Sequence, residues 1–353
     1  MKRMAEYQRL DEVCHINMGQ SPDSKSYNQE GVGLPFFQGN ADFGAVHPET
    51  RVWCSSPTKI VEAGTLLISV RAPIGALNFA KERSCIGRGL AGITPQNGVS
   101  LKYIYYCLKG KNKELNAKGT GSTFKAIAKS ALGETSVKIV SEEDQLKIIQ
   151  TLDRVSSVIE ARKQQLTELD NLIKARFVEL FYDKGYPVLK WNDVFNTTTG
   201  KLDSNAAVDS GEYPFFTCSK EVLKIDKYAF EQEALLLAGN NAAGKYDVKY
   251  YNGKFNAYQR TYVLGLKEDW SYRLFQYQLE DKLVYLQQQS LGGLTKYLTL
   301  KILGELEFII PPKDKQEEFE LFVKQTDKSK VVVQKALDEA QLLFDSLMQE
   351  YFG

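Results

Sequence analysis

The sequence predicts an α+β protein with two tandem α/β domains, separated along the chain by two long antiparallel coiled-coil helices in a pseudo-twofold internal duplication. Three observations support this prediction: the second half of the chain repeats the first, each half opens with short apolar runs, and each half closes with a long heptad pattern. The 353 residues are enough for two domains of ordinary size.

The repeat is clearest in a block that recurs in the second half without a gap. Gly121–Ile127 corresponds to Gly292–Leu298, and the same register continues through the following helix. A tandem duplication explains matches of this length and order better than chance does. Further matching pairs are Gly19 with Gly200, Pro35-Phe36-Phe37 with Pro214-Phe215-Phe216, Leu132-Gly133-Glu134 with Leu303-Gly304-Glu305, Gln145 with Gln316, Leu172 with Leu343 and Phe181 with Phe352.

Each half begins with a β-rich domain. Thr65–Val70 and Ala234–Ala238 are short apolar runs that end in turn-forming residues, which is typical of buried strands. Asn252-Gly253 lies between aromatic residues and predicts a hairpin turn. Short helices are expected around 102–108 and 272–286.

Each half ends in a long helix. Between Ser141 and Tyr182 there is neither proline nor glycine, and Ser141 with the acids after it is a favourable helix start. A helix of about 40 residues is about 60 Å long, more than one small domain can cover, so the two apolar stripes are expected to pack against each other. The heptads allow this pairing within one chain or in an exchanged dimer. The predicted seam positions are Ile148, Leu152, Val155, Ile159, Leu166, Leu169, Ile173 and Leu180, then Phe319, Val323, Thr326, Val333, Leu337, Ala340, Phe344, Leu347 and Tyr351.

These patterns divide the chain into four segments: a first domain at 1–140, a helix at 141–183, a second domain at 184–311 and a final helix at 312–353. Lys and Arg number 45 against 44 Asp and Glu. This near-neutral balance counts against a stand-alone DNA-binding protein, unless the basic groups gather on one face or a partner supplies more of them.

Scattered cysteines and a polar N-terminus indicate a cytoplasmic protein. The five cysteines form no C-x-x-C pair and there are two histidines, so we expect no metal site and inert, buried thiols. No apolar run approaches the length of a membrane span, and the first residues lead into polar sequence. We therefore expect neither a signal peptide nor contact with a membrane.

One segment imitates a nucleotide-binding loop. Gly239–Lys245 has the G-x4-G-K spacing that cradles phosphates, but Tyr246 stands where Ser or Thr would hold magnesium. The residues that follow predict a strand where such a loop requires a helix. A tight turn that presents Asn240, Asn241 and Lys245 to DNA is the preferred interpretation.

Several segments resemble the specificity subunits of type I restriction-modification systems, and the resemblance extends over essentially the whole chain. It rests on the segments Leu67–Gly75 and Cys85–Ile93, the openings Leu10–Val13 with Gly19 and Trp191–Val194 with Gly200, and the helix entries Glu143-Asp144-Gln145 and Lys315–Glu318. The resemblance implies two target-recognition domains, and helices on which two methyltransferase subunits dock.

The resemblance also implies that the chemistry lies in the partners. Adenine methylation with S-adenosylmethionine, and ATP-driven translocation and cleavage by restriction subunits, would belong to them. The chain itself is expected to have no catalytic residue, no cofactor and no metal. It agrees in lacking the N/D-P-P-Y/F tetrapeptide that an amino-methyltransferase needs to hold a flipped base.

Two divergent domains can bind two different half-sites of one DNA duplex, with the helix pair setting the spacer between them. Arg suits guanine, Asn and Gln suit adenine, and Lys suits phosphate, although each such side chain is otherwise an ordinary solvated group. Lys125 and Lys296 are favoured because they recur beside glycines in both halves. The candidate DNA-binding residues are Gln20, Ser21, Lys25, Gln38, Asn40, Arg71, Arg88, Ser122 and Lys125 in the first half, and Lys201, Ser219, Lys220, Asn240, Asn241, Lys245, Arg260 and Lys296 in the second.

Three alternatives remain at this point. A duplicated DNA-binding regulator would act without partners, and a coiled-coil scaffold would not bind DNA at all. A hydrolase or transferase has the least support, since no nucleophile constellation is present. The aromatic pairs Phe36-Phe37 and Phe215-Phe216 are expected in the core, with base stacking as the alternative.

Overall fold

The computed structural model of the chain describes residues 6–121, 125–242, 244–293 and 295–353. The chain forms two compact units: one contains the residues up to Lys163 together with Lys335–Gly353, and the other is Gln164–Gln334. Each unit combines one β-rich domain with part of both long helices. The four segment boundaries given above stay a prediction.

The first unit holds an antiparallel sheet, a mixed sheet and a strand pair. Its strands are β1 (Glu6–Arg9), β2 (Cys14–Met18), β3 (Tyr27–Asn28), β4 (Leu34–Phe37), β5 (Trp53–Cys54), β6 (Ile60–Val61), β7 (Leu66–Ser69), β8 (Leu77–Phe79), β9 (Ser84–Ile86), β10 (Leu90–Pro95) and β11 (Ser136–Ile139). The sheet orders are β2-β10-β7-β8, β3-β5-β4-β9-β6 and β1-β11, and β4 pairs with β9 in parallel. The helices are α1 (Leu10–Val13), α2 (Leu101–Gly110), α3 (Asn112–Ala117), α4 (Lys129–Gly133) and the first part of α5 (Glu142–Phe181).

Strand β7 lies at the centre of this unit and is buried on both faces. Leu66 and Ile68 join the apolar cluster around α2, whereas Leu67 joins a second cluster with Phe37 and Ile86. Alternate residues of a strand point to opposite sides, so an unbroken apolar run is what a strand between two cores requires. The prediction of a buried strand here is confirmed.

The second unit repeats this plan. Its strands are β12 (Val188–Lys190), β13 (Phe195–Thr199), β14 (Tyr213–Phe216), β15 (Leu223–Ile225), β16 (Phe230–Ala238), β17 (Asn240–Asn241), β18 (Val248–Ala257), β19 (Thr261–Leu266), β20 (Lys296–Tyr297) and β21 (Glu307–Ile309). The helices are α6 (Trp191–Val194), α7 (Tyr272–Asp281), α8 (Leu283–Gln289), α9 (Leu300–Gly304) and the first part of α10 (Lys313–Phe352). The sheet order β13-β19-β16-β18-β14-β15 repeats β2-β10-β7-β8, and the parallel pair β14 and β18 repeats β4 and β9. The internal duplication of the sequence is therefore also present in the fold of the two units.

The predicted hairpin at Asn252-Gly253 is wrong. Strand β18 runs straight through these residues, and Gly253 takes a positive φ of 136° within the strand. β18 is paired with β16 from Val248 to Phe255, and its end pairs with β14. Neighbouring strands along its whole length hold it extended, and this tertiary pairing overrides the local turn signal. In the first unit two shorter strands, β8 and β9, occupy the equivalent places.

The two long helices pair antiparallel inside each unit. In the first unit, Leu152 and Ile159 of α5 share an apolar cluster with Phe344 and Phe352 of α10. All predicted seam positions are buried or half-buried, which confirms the coiled-coil prediction. None of the helices in the described ranges has the length and apolarity needed to cross a bilayer.

The second unit shows the same pairing with added charge contacts. Ile173 of α5 packs in one cluster with Phe319 of α10. Lys330 of α10 lies 2.6 Å from Asp170 of α5, and nearer the start of α10 Arg176 pairs with Glu318. Since the contacts move backward along α10 as they advance along α5, the helices are antiparallel here too.

A buried glutamine at the start of each long helix ties that helix to its domain. The Gln145 amide donates to the Val140 carbonyl (3.1 Å) and accepts from the Ser100 N–H (3.0 Å), just before α2. Gln316 makes the same two bonds, each 2.9 Å, at the matching positions of the second unit. The two side chains are 3% and 2% exposed. Each amide therefore links a helix entry to its domain through one donated and one accepted bond.

Replacing Gln145 with leucine tests this link. The change Gln145→Leu leaves a buried N–H and a buried carbonyl without partners, so the free energy of unfolding should fall by about 1–3 kcal/mol. Urea unfolding followed by circular dichroism measures it. Gln150→Leu is the matched control, because Gln150 is exposed on the same helix; equal stability of the two variants would contradict the role of the link.

Candidate nucleic-acid interface

Loops that are far apart in the sequence of the first domain lie together along one edge, where β2, β4, β7 and β9 end. We call this edge the first rim. The Gln20 N–H donates to the Ile86 carbonyl at the end of β9 (3.0 Å), and the Gly89 N–H donates to the Gln38 carbonyl after β4 (3.1 Å). The members of the first rim are Gln20, Ser21, Gln38, Arg71, Arg88 and Lys125.

The remaining members join through neighbouring backbone bonds. The Ala72 N–H, next to Arg71, donates to the Lys125 carbonyl at 3.1 Å. The Arg88 N–H donates to the Ser21 hydroxyl at 3.4 Å. Six of the predicted residues of the first half are thus brought together by the fold.

An equivalent edge in the second domain, the second rim, forms where β13, β14, β16 and β18 end. The Gly239 N–H donates to the Arg260 carbonyl (2.8 Å), and the Cys218 thiol donates to the same oxygen (3.4 Å). The Gln259 N–H donates to the Leu202 carbonyl at 2.9 Å, and β17 pairs with β20. The members of the second rim are Lys201, Ser219, Lys220, Asn240, Asn241, Lys245, Arg260 and Lys296.

The first rim carries cations that have no acidic partner among the residues that the structure describes. Arg71, Arg88 and Lys125 are exposed, and no acidic side chain in the described ranges forms an ion pair with them. Elsewhere in the same unit, Arg83 pairs with Glu62 at 3.2 Å. Cations without an internal partner can neutralise phosphates at no cost in broken ion pairs.

The second rim has the same electrostatic character. Lys201, Lys220, Lys245 and Arg260 are exposed and Lys296 is half-buried. Within the part of the chain that the structure describes, none of these five side chains pairs with an acid. A near-neutral chain can therefore present two locally basic edges.

Three predicted residues use their side-chain oxygens to shape the loops. The Ser21 hydroxyl accepts from the Arg88 N–H, the Ser219 hydroxyl from the Glu221 N–H (3.3 Å), and the Asn241 amide oxygen from the Lys245 N–H (3.3 Å). These side chains hold the rims in shape.

Three others lie outside or beside the first rim. Lys25 is exposed on the 3₁₀ turn Ser24–Ser26, which packs beside Cys54 rather than on the rim. Asn40 is half-buried and begins the 3₁₀ turn that follows Gln38. Ser122 lies outside the described residues.

The repeated glycines explain how the rims close. A Cβ on Gly19 would stand 2.2 Å from the carbonyl oxygen of Gly87, and one on Gly200 would stand 1.7 Å from that of Ala257. No side chain fits at these distances, so only glycine lets the end of β2 or β13 approach the adjacent backbone.

Sequence reasoning missed the residues that support the Arg71 loop. On α3, Asn112 donates to the Gly75 carbonyl (3.0 Å) and Asn116 donates to the Ile74 carbonyl (2.7 Å). Two asparagines four residues apart lie on one face of a helix, and this spacing was the available signal.

Gln259 was also missed. It is exposed on the second rim and directly precedes Arg260, as Arg88 directly precedes Gly89 on the first rim.

The aromatic and cysteine predictions have mixed outcomes. Phe36, Phe37, Phe215 and Phe216 are buried, so they belong to the core. Four cysteines are buried, and burial raises the pKa of the Cys14 thiol to about 12. The prediction of burial is wrong for Cys218, which is half-buried because it sits in a loop on the second rim.

The segment that imitates a phosphate loop is a strand and a turn. β17 is followed by a turn and then by strand β18, so the helix that a phosphate site needs is not formed here. Among the described residues, His, Cys, Asp and Glu side chains form no group of three or more that could hold a metal ion.

Comparisons with known proteins agree with this architecture. The family model of the type I restriction modification DNA specificity domain matches twice, over residues 4–171 and 184–340. The crystal structure of a type I restriction-modification system S subunit from M. genitalium covers 99% of this chain and 96% of its own, with a TM-score of 0.62 and 17% identity. At that identity the match supports the fold alone.

Curated relatives match in part of their length. The putative type I restriction enzyme MjaX specificity subunit of Methanocaldococcus jannaschii is 38% identical over 160 residues, which are 45% of this chain and 38% of that protein. The type I restriction enzyme EcoDI specificity subunit of Escherichia coli is 35% identical over 134 residues, 37% of this chain and 29% of the relative. The chain spans less than two fifths of the length of either relative. Since the family model covers most of its residues in two copies, the chain belongs to the family of type I restriction-modification specificity subunits.

Proposed function

We propose that the chain binds a bipartite target on double-stranded DNA, one half-site at each rim, and directs partner methyltransferase and restriction subunits to it. The observation that carries this proposal is the presence of two equivalent rims, each with exposed cations that form no ion pair with an acid among the described residues. Lysines there would hold phosphates, and arginine, asparagine and glutamine would contact base edges. The chain itself would be non-catalytic.

Exposed apolar side chains on the long helices support docking of the partners. Val331 and Val332 on α10 are each 69% exposed, and Leu172 and Leu343 are about half exposed at matching positions of the repeat. Apolar side chains exposed to this extent beside a filled seam favour burial against another protein. Two methyltransferase subunits, one on each repeat, would fit the duplication, and restriction subunits would join that assembly.

The alternatives have less support. A coiled-coil scaffold gives no reason for unpaired cations to gather on two equivalent loop edges. A regulator that acts alone leaves the exposed valines of α10 without a role.

Methylation in cells tests the proposal most completely. Adenine methylation is mapped by single-molecule sequencing in cells that express this chain with its neighbouring methyltransferase gene, and in cells with that gene alone. The proposal predicts a split motif that appears only when this chain is present. A folded complex with a competent methyltransferase that leaves DNA unmethylated would contradict it.

Charge on the outer face of α10 should block assembly. In the double variant Val331→Asp/Val332→Asp, both side chains remain solvated in the free chain but would place charge in an apolar contact. We expect loss of co-elution with the methyltransferase subunit in size-exclusion chromatography, with the circular dichroism spectrum unchanged. Lys328→Asp/Ser329→Asp, at exposed neighbouring positions, is the control and should still co-elute. Assembly of the valine variant at the control's level would argue against this docking surface.

A further inference from the structure

Two backbone hydrogen bonds recur at equivalent places in the two rims. In the first, the Val70 N–H donates to the Gly89 carbonyl at 2.9 Å; in the second, the Gly239 N–H donates to the Arg260 carbonyl at 2.8 Å. Val70 and Gly239 therefore occupy the same place at the end of the central strand of each domain.

A second bond fixes the same equivalence from the other side. The Ile127 N–H donates to the Val70 carbonyl at 2.9 Å, and the Leu298 N–H donates to the Gly239 carbonyl at 2.8 Å. Arg71 follows Val70 in the first rim, and Asn240 follows Gly239 in the second. Each is therefore held between two equivalent neighbouring segments.

Both residues can reach a ligand. Val70 is buried, so by strand alternation Arg71 projects to the opposite, exposed side. Asn240 is half-exposed, and no side-chain hydrogen bond engages its amide within the described ranges. Asn241 is less suited to base contact, because its oxygen closes the turn to Lys245.

A lysine beside each of these residues is the same in both rims. Lys125 and Lys296 belong to the repeat block and lie on the segments that hold Arg71 and Asn240. The phosphate backbone is the part of DNA that does not vary between half-sites, so a constant cation suits it. A position that differs between the rims, beside a constant lysine, suits the part that varies, the base.

We propose that Arg71 recognises a guanine in the first half-site and Asn240 an adenine in the second, while Lys125 and Lys296 hold phosphates. This inference rests on the proposed function and assigns a base to each rim. The Arg71 guanidinium can donate two bonds to guanine O6 and N7, and the Asn240 amide can bond adenine N6 and N7. In this scheme the exchange of arginine for asparagine at one equivalent position makes the two half-sites different.

Competition binding tests the assignment with the full chain in complex with its methyltransferase subunits. The probes are duplexes in which each position of the methylated motif is changed in turn, and the salt dependence of binding is measured in parallel. Arg71→Ala should reduce discrimination at one guanine of the first half-site by roughly ten- to hundredfold, and Asn240→Ala should do the same at one adenine of the second.

Two further variants separate base contact from charge. Arg71→Lys keeps the charge but not the two-pronged geometry, so it should lose the guanine preference and retain most of the affinity. Lys125→Ala should weaken binding to all duplexes alike and lower the slope of log affinity against log salt concentration by about one. Arg83→Ala is the matched control, since Arg83 lies at the opposite end of β9 and pairs with Glu62.

The outcomes separate this inference from the proposed function. Unchanged discrimination in both Arg71→Ala and Asn240→Ala, with a bipartite preference intact in the unaltered chain, would overturn the base assignment alone. The base assignment would also be overturned if Arg71→Ala weakened binding to all duplexes equally, because loss of a phosphate contact has that effect. An unaltered complex that shows no bipartite preference at all would overturn the proposed function as well.

Discussion

The apolar stripe on each long helix is the feature on which the rest of the structure depends. α5 and α10 are 40 residues each, and a helix of that length has more apolar stripe than its own domain can cover. Each helix supplies the other's partner: Leu152 meets Phe344 in one unit, and Ile173 meets Phe319 in the other. The final residues of the chain therefore belong to the first unit.

The sequence was sufficient for those parts of the fold that local pattern determines. Heptad spacing, the internal repeat and the apolar run at β7 predicted the helices, the duplication and the central strand. The hairpin at Asn252-Gly253 failed because pairing with two neighbouring strands outweighs a local turn signal. The gathering of Gln20, Arg88 and Lys125 on one rim could not be derived, since backbone bonds between distant segments create it. The spacing of Asn112 and Asn116 indicated one helix face, but the loop that Asn116 supports lies far away in the sequence and could not be identified from it.

The charge distribution reconciles a neutral composition with a role in DNA binding. On the long helices, several exposed lysines are paired with acids one turn away, as Lys147 is with Glu143 at 2.6 Å. On the rims, cations such as Arg71 and Arg260 have no acidic partner among the described residues. A net charge of +1 therefore does not show where positive potential lies. The relevant comparison is between cationic side chains that are paired with acids and those that are not.

We propose that each domain binds its own half-site while the helices that connect them set the spacer. Removing one heptad from each helix, residues 165–171 and 324–330, keeps the seam in register, retains the exposed valines of α10 and shortens each helix by about 10 Å, equivalent to about three base pairs. The direct measurement is sequencing of the duplexes that the shortened chain selects from a random library, beside those that the unaltered chain selects. The account predicts the same two half-sites with a shorter spacer; altered half-sites with an unchanged spacer would contradict it.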